Sequence, residues 1–134
     1  MNIFYIFIVA AVVVFFFVEF FIRRRRRGKL SQSHQDFIAK SWKVLREDAK
    51  HSHQQAIIEA DKLLDFALKC RGYQGTLGEK LTKAEAEFSD NDGVWSAHKL
   101  RNRLSHEVGF RVTAEQTQAA LSQFHKALRD LGVE

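Results

Sequence analysis

Arg101, Asn102 and His106 stand in the hexapeptide Arg101-Asn102-Arg103-Leu104-Ser105-His106, the part of this chain best suited to phosphate chemistry. A guanidinium meets two phosphate oxygens at once and stays charged, while an imidazole titrates near neutral pH and can act as base or acid. Positive charge beside a developing phosphorane, with a proton carrier in reach, requires no metal and no cofactor. Helix geometry limits how these groups can cooperate. At about 100° per residue, His98, Asn102, Ser105 and Gly109 share one stripe, with Arg101 on one flank and His106 on the other. Arg101 and His106 are then about 140° apart, so a bent helix end, the length of the Arg side chain or a partner subunit must join them. The same residues also suit a structural role. Arg and His in the last turns of a helix are favoured by its macrodipole and free carbonyls, and an inward Asn can satisfy a buried polar group.

The elements that must position them are helices. Proline is absent, and the strand-favouring runs are confined to the first 22 residues. Beyond these, apolar residues recur at three- and four-residue intervals. The first soluble helix starts near Ser33 with the stripe Phe37, Ile38, Trp42, Leu45 and Ala49. A second, Gln54 to Lys69, carries Ile57, Ile58, Leu63, Leu64, Phe66, Ala67 and Leu68, and is dense enough to be central. His51-Ser52-His53 is only a weak break, so the two could be continuous or separate. Gly72 suits a left-handed cap. The sequence GYQGTLG lacks the Lys-Ser/Thr of a P-loop and follows no strand, which makes it a connection. A short helix from Leu77 to about Phe88 follows, and SDNDG at 89–93 reads as a turn ending in a helix cap, its acids wrongly spaced for calcium. The hexapeptide belongs to a helix over 94–108, with Ala97, Leu100, Leu104 and Val108 expected inside. Thr113 to Gln116 forms a capping box for the last helix, whose stripe is Ala120, Leu121, Phe124, Ala127, Leu128 and Leu131.

Three other groups of residues carry less chemistry. His51 and His53, two apart, face different ways on a helix and make a poor metal pair. His34 and His125 read as surface residues, Trp42 and Trp95 as core. The lone Cys70 excludes an internal disulfide and suits a reducing compartment.

Ile3 to Ile22 reads IFYIFIVAAVVVFFFVEFFI, with Glu19 the single charge, and Arg23 to Lys29 reads RRRRRGK. Twenty helical residues span about 30 Å, the thickness of a bilayer's hydrocarbon core. A cleaved signal peptide would place its basic residues before the apolar run and a small-residue site after it, and neither feature is present. Glu19 sits about a turn inside the arginines, where it can snorkel or pair with Arg23. Lys and Arg near a span stay on the cytoplasmic side, so Arg23, Arg24, Arg25, Arg26, Arg27 and Lys29 orient the chain with its amino end outside. They also attract anionic lipid. The expected organisation is a single inner- or plasma-membrane span over 1–22, a basic linker over 23–32 and a cytoplasmic all-α domain over 33–134.

The charge balance follows from this division. Six of the 21 Lys and Arg fall at 23–29, leaving 15 beyond, and Glu19 alone of the 16 Asp and Glu precedes them, also leaving 15. The domain is neutral, so the basic pI of about 9.6 belongs to the anchor. A global charge argument for nucleic-acid binding fails, and any polyanion case rests on a local site.

An Arg, a polar residue beside it and a His five positions after the Arg resembles the signature of HEPN domains, all-helical modules of prokaryotic RNases, toxins and defence proteins. AIIEADKLLDFAL at 56–68 and WSAHKLRNRLSHEVGF at 95–110 are similar to the packing and central helices of small bacterial members. The resemblance covers about residues 52–132 and implies a four- to five-helix bundle. It also implies Arg101 and His106 as a catalytic pair, Asn102 as the residue that orients them, and metal-independent RNA cleavage by a homodimer. With one such His per chain, a two-fold dimer would supply both acid and base. RNA, a second copy, the bilayer and an antitoxin are the partners to expect. The competing class is a non-catalytic helical module that tethers a partner protein at the membrane.

Overall fold

The computed structural model describes residues 2–25 and 28–134, with backbone only at 22–25. The side chains of Arg23, Arg24, Arg25, Arg26 and Arg27 lie outside the described residues, and Lys29 is exposed. Among the described residues every regular element is helical: α1 (Ile3–Arg25), α2 (Gln32–Asp48), α3 (His53–Cys70), α4 (Leu77–Lys83), α5 (Asn91–His106) and α6 (Ala114–Asp130), with one 3-10 turn at Glu85–Glu87.

The segment Ile3–Phe21 of α1 is long and apolar enough to cross a membrane, and none of it is buried against the rest of the chain. Its ring of exposed Phe, Ile and Val is stable in hydrocarbon and costly in water, because an all-round apolar helix has no polar face to leave wet.

The other helices form one bundle. α3 packs against α2, α4, α5 and α6, and α5 also packs on α6. The density of α3 explains its central place: Ala56, Ile57, Ala60, Leu63, Leu64, Ala67 and Leu68 are all buried. The expected α6 stripe is buried in full, from Ala120 to Leu131. Local chemistry sets the ends. The Ser52 hydroxyl accepts from the Gln55 backbone N–H, which starts α3 and makes 49–52 a true break. Gly72, at φ +89°, lets Tyr73 N–H reach Leu68 O at 3.0 Å, closing α3 in a left-handed cap. Thr76 with Glu79 and Thr113 with Gln116 form reciprocal capping boxes.

Four expectations are corrected. Phe37 is 54% exposed, because α2 turns Ile38, Trp42 and Leu45 inward and leaves the 37/44 edge outside. On α3, Ile58 and Phe66 are only half-buried. The helix begun at Leu77 ends at Lys83 and continues as the 3-10 turn, with Ala84 and Phe88 buried beneath it. On α5 the helix ends at His106, so Val108 falls beyond it and is fully exposed, while Leu100 and Leu104 are half-buried. The α5 core face is Val94, Ala97 and, unexpectedly, His98.

Candidate functional site

Asp61 is the residue around which the site is built. It occupies the core register of α3, one turn after Ile57 and three before Leu64, and is 4% exposed. A buried carboxylate is tolerated only when it is paired and hydrogen-bonded. Both partners come from α5. His98 Nδ1 lies 2.8 Å from Asp61 Oδ1, and Arg101 Nε lies 3.1 Å from Oδ2. The Arg101 contact is an ion pair whose N–H does not point along it, so Nε has no hydrogen bond. From the same helix, Asn102 Nδ2 lies 3.3 Å from His98 Nε2, and Arg101 Nη1 donates to Asn102 Oδ1 at 3.2 Å.

The direction of this chain follows from donor chemistry. Guanidinium only donates, so Asn102 must turn its oxygen to Arg101 and its NH2 to His98. His98 Nε2 therefore accepts, and Nδ1 carries the ring proton and donates to Asp61. The series runs Arg101 to Asn102 to His98 to Asp61, and both nitrogens of His98 are occupied. His98 consequently positions its neighbours rather than serving as a free acid or base. Trp95, in edge contact with the His98 ring at 5.9 Å between centroids, holds it from the side.

His98, Arg101 and Asn102 form part of the wall of an open cavity of about 490 Å³. α3 contributes Lys62 and Asp65, the connection and start of α4 contribute Gly75 to Gly78, and α5 contributes His98, Arg101 and Asn102. Asp65 is engaged by Lys80, which is itself buried and donates at 2.8 Å. Lys62 bonds Glu59 at 3.0 Å on the surface. The Arg101 side chain is 28% exposed. With Nε buried against Asp61, a guanidinium edge remains for an oxyanion.

His106 is placed apart. It is the last residue of α5, exposed, with no hydrogen-bond partner among the described residues, and it does not line the Arg101 cavity. Arg103 turns away as well, bonding Glu107 at 3.0 and 3.2 Å and lying 4.0 Å over the Phe110 ring. Of the expected trio, one chain therefore brings together Arg101 and Asn102, with His106 on another part of the helix end. Asp61, Lys62, Asp65 and His98 are site residues to which sequence reasoning gave no role. The available signals were an acid in the apolar register of α3 and a histidine in that of α5.

Comparison with family models, with curated proteins and with solved structures gives no match for this chain.

Proposed function

We propose that this chain is a single-pass membrane protein, amino end outside, whose cytoplasmic bundle is a HEPN-like, metal-independent endoribonuclease of toxin, stress or defence type. The observation that carries the reading is Arg101, held by Asp61 and Asn102 at the wall of an open polar cavity, with an unengaged imidazole, His106, five residues on. In this reading Arg101 receives the scissile phosphate and stabilises charge as the phosphorane forms. Asn102 and Asp61 fix its orientation. His106 transfers the proton, as base toward the 2′-OH or as acid toward the leaving 5′ oxygen. Its separation from Arg101 requires a second copy, in which His106 of one chain meets Arg101 of the other across a two-fold axis.

The test is cleavage of mixed RNA by the full chain in detergent, with EDTA present, beside His106→Ala and Arg101→Ala. The expected result is cleavage by the wild type and a loss of about 100-fold or more in each variant, the scale of general acid-base and electrostatic contributions. Equal cleavage by all three, or none by any, removes the enzymatic reading.

One observation favours the non-catalytic class. Phe37, Val44, Leu63 and Phe66 line an open groove between α2 and α3, and Phe37 and Val44 are more than half exposed. An apolar groove of this kind suits a protein partner. RNA-inactive wild type that still binds a protein through this groove would establish that class.

A further inference from the structure

A second polar cavity, of about 480 Å³, lies where the end of α2, the start of α3 and the middle of α6 meet. Arg46, Lys50, His53, Gln118, Ser122 and His125 supply its polar lining, and Trp42, Ala49 and Leu121 the rest. No carboxylate lines it. Among 15 basic and 15 acidic side chains beyond residue 29, a cavity whose polar lining holds only cations and neutral groups departs from the average. Glu47 bonds Lys50 at 2.7 Å from outside the cavity.

The neighbouring groups add to the positive field. An adjoining cavity shares Ser122 and His125 and adds Lys126 and Arg129. Asp130 also lines it and accepts from the Ser89 N–H and hydroxyl, both at 2.8 Å, and Asp90, outside the lining, lies 3.9 Å from Lys126. His125 stacks on Trp42 with 5.0 Å between centroids and planes 6° apart. Burial first, then the guanidiniums of Arg129 and Arg46, holds His125 below the ordinary imidazole range. Trp42 is 7% exposed and its indole N–H finds no acceptor in the protein.

We propose that this cavity binds a multiply charged phosphate ligand, with Arg46 supplying charge, Lys50 exchanging its exposed Glu47 pair for the ligand, and His53, His125, Gln118 and Ser122 supplying N–H and O–H donors. Guanidinium and ammonium match phosphate oxygens, and the volume lies within the roughly 300–1,000 Å³ range of small-ligand sites. The site is separate from the Arg101 cavity and does not depend on RNA cleavage. A phosphate of this kind is carried either by a soluble molecule or by a lipid headgroup.

The experiment uses the full chain in zwitterionic nanodiscs with Trp95→Phe, which leaves Trp42 as the sole indole. Pyrophosphate is titrated while Trp42 emission is read, with calorimetry on the same samples giving affinity independently of emission. Saturable binding is expected, weakened at least ten-fold by Arg46→Gln and little changed by Lys43→Gln, an equal charge loss on α2 outside the cavity. Melting curves check that Arg46→Gln, an exposed change, remains folded. A parallel set uses nanodiscs containing phosphatidic acid. An Arg46-dependent response there without one to pyrophosphate supports the site and assigns the phosphate to a headgroup. No binding in either arm, or equal losses for Arg46→Gln and Lys43→Gln, overturns the proposal. The basic run beside α1 is common to every sample, so its contribution cancels.

Discussion

Asp61 matters more to this molecule than any residue of the hexapeptide, because it is a buried charge with two partners on another helix. Removing one member of a buried, hydrogen-bonded charge network leaves the others desolvated and unpaired, at about 3–5 kcal/mol. Asp61→Ala is therefore expected to lower unfolding free energy by about 3 kcal/mol in urea titration, whereas His106→Ala, at an exposed position, should change it by less than about 0.5 kcal/mol. A near-neutral Asp61→Ala would mean that the network does not hold α5 to α3. The contrast also separates the two roles: a loss of RNA cleavage in His106→Ala without loss of stability is a chemical effect. Cys70 has little reactivity to offer, since burial pushes its thiol above the ordinary range and the thiolate is the reactive form.

At the scale of elements, the docking of α2 onto the bundle is the feature with a built-in pH dependence. Trp42 of α2 stacks on His125 of α6, and burial with nearby Arg129 and Arg46 depresses the imidazole in the fold. The sign follows from linkage. Above pH 6.5 the ring is neutral in both folded and unfolded chains, and its stability contribution is complete. As pH falls through 6.5 the unfolded chain takes up a proton that the folded one resists, and stability is lost. The melting temperature in phosphate-free buffer should therefore drop between pH 7.5 and 5.5, and His125→Gln should flatten that drop. An unchanged slope in the variant would refute the assignment. Sequence reading placed His125 on the surface because its neighbours across the α2–α6 contact are 79 to 83 positions away in the chain. It placed Val108 inside because periodicity continues past His106, whereas the Gly109 turn at φ +75° ends the pattern.

For the whole molecule, the proposed division between a membrane span and a helical bundle decides where any chemistry can occur. A neutral bundle has no long-range attraction for RNA, while the basic run over 23–29 does. The proposed topology is tested by fusing a cytoplasm-dependent fluorescent reporter to the carboxyl end. Fluorescence is expected for the wild type, and a mixed orientation when Arg23, Arg24, Arg25, Arg26 and Arg27 are all changed to Gln. A carboxyl end reported outside in the wild type would reverse the topology.

The sequence by itself determined the helical class, the long apolar helix at the amino end, the charge division, the Thr113–Gln116 capping box and the α6 core stripe. Each of these depends on residues within a few turns of one another, where spacing of 3.6 residues and cap chemistry act directly. It also marked Arg101, Asn102 and His106 and gave their angular separation on a helix. Only the tertiary structure decided that Asp61, 37 positions before His98, sets the orientation of Arg101, and that Gly75 to Gly78 line the cavity beside it. The same packing assembled the cationic cavity from α2, α3 and α6. Contacts of this kind depend on how helices cross, and crossing geometry is fixed by the fit of whole surfaces rather than by any local run of residues.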